Sequence, residues 1–168
     1  GALAVEGIPE EDRDAVTSFA VSLGVSVGYL RERNPDAVRL FAVMGLLPGG
    51  ALPPDLEAIW GPGWRPLMDA LVGASLVERA ARRSTEHFST FPFITAYAGR
   101  LLTQEDLDAF SVRAVEHFAR VGQVLYLTMR TADWAGASAV LGLEEANLWA
   151  CLNPARPARP APGCPPRT

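Results

Sequence analysis

Apolar residues recur along most of the chain at the three-and-four spacing of a helix face, and proline and glycine break the pattern at intervals. From Asp14, the residues Val16, Phe19, Ala20, Leu23, Val27 and Leu30 share one face and predict a first helix, mildly interrupted by Gly24 and Gly28. Asn34 offers an N-cap and Pro35 suits a first helical turn. A second helix follows, with Ala37, Leu40, Phe41, Met44 and Leu47 on its stripe, and Pro48, Gly49 and Gly50 stop it. Pro53 and Pro54 open a short third helix to about Trp60. Gly61, Pro62 and Gly63 punctuate again before a fourth, marked by Leu67, Met68, Leu71 and Val72.

The period then switches. Leu76 to Ala80 and His87 to Phe91 read as two strands across a polar turn from Ala81 to Glu86. Side chains alternate along a strand, so Phe88 and Thr90 are expected to face the core while His87, Ser89 and Phe91 share the opposite face. Pro92 begins a fifth helix carrying Phe93, Ala96, Tyr97 and Leu101. Thr103 with Asp106 resembles a capping box and starts the longest helix, about Gln104 to Arg130, with Leu107, Phe110, Ala114, Phe118, Val121 and Leu125 on its stripe. After a turn from Thr131 to Gly136, a last helix containing Leu141, Leu148 and Leu152 is expected to pack antiparallel to it.

This order predicts a mainly α fold. A connector (1–15) leads into a winged-helix domain with a two-stranded β-wing (16–102). An α-helical hairpin resembling the start of a helical repeat array follows (103–152), and then a proline- and arginine-rich tail (153–168) whose composition cannot form a core.

Composition narrows the chemistry. A chain of 168 residues, 49% hydrophobic and 20% charged, can bury one sizeable core or two small ones in contact. It has no uninterrupted apolar run of about 18 residues, and its first residues lack a basic-then-apolar leader, so neither membrane insertion nor secretion is signalled. Cys151 and Cys164 have no second pair and no nearby histidine, so neither a zinc site nor a disulfide framework is indicated; a cytoplasmic setting fits. All 15 cations are arginine. Without a lysine the chain cannot by itself form a P-loop, a kinase-type phosphate site or a Schiff base, and no enzymatic activity is expected of it alone. The formal net charge of −4 offers no global attraction to nucleic acid.

Local constellations are few. Arg79, Arg82 and Arg83 form the one cationic cluster, read either as a wing touching phosphate or an acidic partner, or as a solvated hairpin tip. On a duplex, the helix before the wing would reach the base edges, yet it carries only Arg65 and Asp69 among charged residues. Trp60, Trp64, Trp134 and Trp149 each adjoin an apolar stripe and are expected to pack in the core or against another domain. His87 and His117 are far apart in sequence, with no acidic partner at a metal spacing. Glu10, Glu11 and Asp12, like Glu105, Asp106 and Asp108, sit where helices begin and suit the helix dipole. Ser75, Ser89 and Ser111 lack a G-x-S-x-G setting.

Four strings taken in order carry a resemblance: Ser22 to Leu30 (SLGVSVGYL), Leu40 to Gly50 (LFAVMGLLPGG), Leu67 to Arg79 (LMDALVGASLVER) and Thr90 to Ala98 (TFPFITAYA). Together they resemble the winged-helix segment of bacterial STAND-type (NB-ARC-like) signalling ATPases. Ala114 to Tyr126 and Glu144 to Leu152 (EEANLWACL) look like the helices that lead into the superhelical repeats of such proteins. The resemblance implies a noncatalytic regulatory module that docks on an upstream ADP- or ATP-binding domain of the same longer protein, links it to a sensor repeat region, and homo-oligomerises on activation. It implies no cofactor bound by this chain alone, no membrane, and a histidine just before the fifth helix that contacts the ADP phosphates. The matching position is Phe91, whose phenyl ring cannot donate a hydrogen bond to phosphate. His87 lies four residues away, about 13 Å along an extended strand. The rival expectation is a transcription regulator fragment using the same winged helix on DNA.

Overall fold

The computed structural model describes residues 10–82, 85–131 and 133–152. Among the described residues, seven α-helices and one two-stranded antiparallel sheet follow the expected order: α1 (Glu10–Arg33), α2 (Pro35–Met44), α3 (Pro53–Ile59), α4 (Trp64–Gly73), β1 (Glu78–Arg82), β2 (Thr85–Ser89), α5 (Pro92–Ala98), α6 (Gln104–Met129) and α7 (Trp134–Leu152). The fold is mainly α with a β-wing. The tail (153–168) and residues 1–9 of the connector lie outside the described residues, as do the side chains of Val16, Phe19 and Ala20.

The helix boundaries follow local chemistry. Asn34 Oδ1 accepts from the Ala37 N–H (3.2 Å), which satisfies one of the orphan donors at the start of α2. Proline at the first turn begins α2, α3 and α5, where a missing N–H costs nothing. Thr103 Oγ1 accepts from the Asp106 N–H (3.1 Å) and opens α6. The other half of that capping box is not made, because the Asp106 carboxylate binds Arg39 of α2 instead. Helix α1 begins at Glu10, inside the stretch expected to be a connector.

The wing differs from its expected register. The strands pair Glu78 with Ser89 and Arg82 with Thr85, so each lies nearer the hairpin tip than the strands read from the sequence. The physical reason is a third backbone segment. Ala51 N–H donates to Phe88 C=O (2.7 Å) and Phe88 N–H to Ala51 C=O (2.9 Å), so β2 is paired along both edges at Phe88. His87, on the face opposite Phe88, is also buried, at 1% exposure, because the Gly49–Gly50 loop lies against its ring.

One hydrophobic cluster runs through the molecule. Leu23, Val27 and Leu30 of α1, Leu40, Phe41 and Met44 of α2, Leu56 and Ile59 of α3, Met68 and Leu71 of α4, and Phe88 of β2 join Phe110, Ala114 and Phe118 of α6. Each fully buried large side chain contributes about 1.5–3 kcal/mol over leaving it in water. Because α6 supplies part of this core, the cluster crosses the expected boundary between residues 102 and 103. The seam is reinforced by Trp60 stacked on Phe110 (5.6 Å, 5°) and by Arg113 Nη1–H donating to the Ile59 carbonyl (3.3 Å) at the end of α3.

Gly50 is set by this packing. Its φ of +83° lies in the left-handed region, and a Cβ there would press on the Phe88 carbonyl oxygen and sit 2.7 Å from His87 Cε1. Gly50→Ala is expected to destabilise the protein by about 1–3 kcal/mol, from backbone strain together with the clash. Urea denaturation followed by circular dichroism measures it, and an unchanged midpoint would contradict this account of the loop.

Candidate functional site

Two features stand out from the scaffold: a buried polar cluster where α3, α6, α7 and the 48–51 loop converge, and an open cleft beside the wing.

The cluster is built on Asp55 at the third position of α3. Its Oδ2 accepts from the Leu52 N–H (2.6 Å) in the return half of a capping box, and Leu52 has no side-chain acceptor to supply the other half. Asp55 Oδ1 accepts from His117 Nε2–H of α6 (2.7 Å). On α7, Glu144 and Asn147 are three residues apart on one face, and both are buried. Asn147 Nδ2 donates to Glu144 Oε2 (3.1 Å) and to the Gly50 carbonyl (2.9 Å), while its Oδ1 accepts from the Gly49 N–H (2.9 Å). The Gly49 carbonyl accepts from His87 Nε2–H (2.9 Å), which completes a path from α3 to the wing.

The electrostatics follow from burial. Glu144 is pushed up to about 7, first by burial and next by the neighbouring Asp55 charge, with the Asn147 hydrogen bond and the His117 charge pulling the other way. Burial also lowers His87 below the usual histidine range. Since a carbonyl can only accept, Nε2 carries the His87 proton, and Nδ1 is a buried acceptor with no partner among the described residues. The Cys151 thiol on α7 is pushed up by burial, away from a reactive thiolate. Among the described residues no three His, Cys, Asp or Glu side chains are grouped so as to hold a metal ion.

The cleft, about 840 Å³, runs between the loop after α2, the turn before β1 and the segment leading into α5. Pro48, Gly49, Ser75, Arg79, Arg82 and Phe91 are among its lining residues. Phe91 is 61% exposed and stacks on Phe93 (6.0 Å, 7°), so two aromatic rings face water at its edge. Of the arginines expected to interact, Arg79 binds Asp69 of α4 and lies 3.4 Å from Glu86 Oε1. Arg65 Nη1 is 3.4 Å from Glu86 Oε2, and its guanidinium sits over the Trp64 ring (4.5 Å). Arg82 is exposed and has no ion pair among the described residues. Arg83 lies outside them.

Several sequence expectations change here. His117 does have an acidic partner, Asp55, brought to it from 62 residues away. Trp64 is in the core and Trp60 is partly buried, whereas Trp134 and Trp149 are 61% and 60% exposed, which removes the core half of their expectation and leaves the interdomain half. Asp55, Glu144 and Asn147 were not singled out from the sequence. The available signal was Glu144 and Asn147 lying on the stripe of an otherwise apolar helix, where a polar group needs a partner. No family model matches the chain, and no curated protein or solved structure is similar enough to it to identify a relative.

Asn147→Leu keeps the branched shape of the side chain while leaving the Gly49 N–H and Gly50 carbonyl without its hydrogen bonds. A loss of about 2–4 kcal/mol is expected. Denaturant unfolding measures it, and a loss below about 0.5 kcal/mol would show that water replaces the clamp.

Proposed function

We propose that the chain is a noncatalytic regulatory module of a STAND-type signalling ATPase, whose wing-side cleft docks against a neighbouring ADP- or ATP-binding domain. The observation that supports this most directly is the exposed Phe91–Phe93 stack at the edge of the cleft. Two aromatic rings in water carry an apolar penalty that a docked protein surface removes. Phe91 also occupies the position at which the resembled family meets nucleotide. With a phenyl ring there, docking rests on apolar contact with the partner domain and not on a hydrogen bond to phosphate. The α6–α7 hairpin, sharing one core with the wing, would carry the movement of a sensor region to the cleft as a rigid lever.

The rival reading, a winged helix on DNA, draws less support from the charges. Arg65 and Arg79, on the face a duplex would meet, are already occupied by Glu86 and Asp69. Phosphate contacts by cations supply most nonspecific affinity, and here they would have to displace those carboxylates.

The test is association of this chain with the nucleotide-binding domain of the same protein, measured by gel filtration and calorimetry with ADP or with ATP. Tighter association with ADP is expected, weakened at least tenfold by Phe91→Asp. Absence of any nucleotide-dependent association would remove the reading. Binding to duplex DNA that falls steeply with salt, and weakens when Arg65, Arg79, Arg82 and Arg83 become alanine, would favour the rival.

A further inference from the structure

We propose that Asp55, His117, Glu144 and Asn147 form a proton-operated latch: with the proton in place α7 stays clamped on the Gly49–Gly50 loop, and its loss to solvent releases α7 from that loop.

Both Asp55 oxygens are committed to donors, Oδ2 to the Leu52 N–H and Oδ1 to His117 Nε2–H. The carboxyl facing it, Glu144, is 2% exposed and hydrogen-bonded to Asn147. Two ionised carboxylates cannot share a buried site without a heavy cost, so one proton resides on Glu144 and is shared toward Asp55. Every element packed around the site contributes: Asp55 from α3, His117 from α6, Asn147 from α7 itself, and, through Gly49, His87 from β2. Burial disfavours a counter-charge on His87. When Glu144 ionises, two like charges, its own and that of Asp55, face one another in a buried site. The least costly relief is to expose Glu144 by moving α7 outward. That movement carries Asn147 with it and returns the Gly49 N–H and Gly50 carbonyl to water. Gly49 lines the wing-side cleft, so the latch acts on that surface whatever docks there.

A carboxyl held above its ordinary value stabilises the closed arrangement fully below about 4.5, the unperturbed value, and that stabilisation is lost as the pH rises through about 7. Amide hydrogen exchange on the whole chain between pH 5 and 8, expressed as protection factors, reads this directly. Protection of residues 134–152 and of Gly49 and Gly50 is expected to fall about tenfold per pH unit up to near 7 and then level off, while the α2 amides around Phe41 keep theirs. Glu144→Gln, which mimics the protonated carboxyl and can still bond Asn147 and Asp55, is expected to hold α7 protected and flat across the range. Equal loss in α2 and α7, a flat wild-type profile, or a Glu144→Gln profile that follows the wild type would each overturn the latch. If Glu144→Gln does not fold, carboxyl-carbon NMR of the wild-type chain decides: a Glu144 midpoint near 7 supports the proposal, and one near the ordinary 4.5 overturns it.

Discussion

Two backbone groups of one loop, the half-buried N–H of Gly49 and the buried carbonyl of Gly50, have no helix or strand to satisfy them, and a single side chain satisfies both. Asn147 reaches from α7, 97 residues away in sequence from Gly50, to accept from one and donate to the other. An amide side chain suits this role because it carries an acceptor and donors on one planar group. With the loop fixed, Gly50 holds its left-handed backbone, His87 reaches the Gly49 carbonyl, and Ala51 lies along the second edge of β2. The position of the wing therefore depends on a contact made by the last described helix.

Around that contact, apolar burial supplies the free energy and polar contacts supply the geometry. The core from α1 to α6 is continuous, and the seam between α6 and the helices before the wing combines stacked rings with an arginine on a helix-terminal carbonyl. The ion pairs of Arg39, Arg65 and Arg79 lie at the surface, where water screens them, so they add little stability. Their larger effect is electrostatic. Those of Arg65 and Arg79 neutralise two arginines of the wing side internally and leave Arg82 as an exposed cation lining the cleft with no ion pair among the described residues.

Much of the fold was legible in local patterns. Caps and prolines marked the starts of α2, α3, α5 and α6 because those signals act within three or four residues. The strand register was not legible. It depends on Ala51, more than 30 residues upstream, pairing with Phe88, and no period within the hairpin reports that. The exposure of Trp134 and Trp149 was equally hidden. α7 is apolar on nearly every side, so its composition could not distinguish the face that meets α6 from the one left in water.

By itself the sequence determined the order and type of the elements, the absence of lysine and hence of lysine-dependent phosphate or Schiff-base chemistry, and the sites where helices begin. These depend on residue identity and on neighbours a few positions away. The tertiary structure alone decided the candidate site. Asp55, His117, Glu144, Asn147 and His87 are each unremarkable polar residues in the chain. They become a buried, mutually dependent cluster only because three helices, a loop and a strand of the wing close around them, and a pKa or an orphaned lone pair is a property of that enclosure, not of any residue.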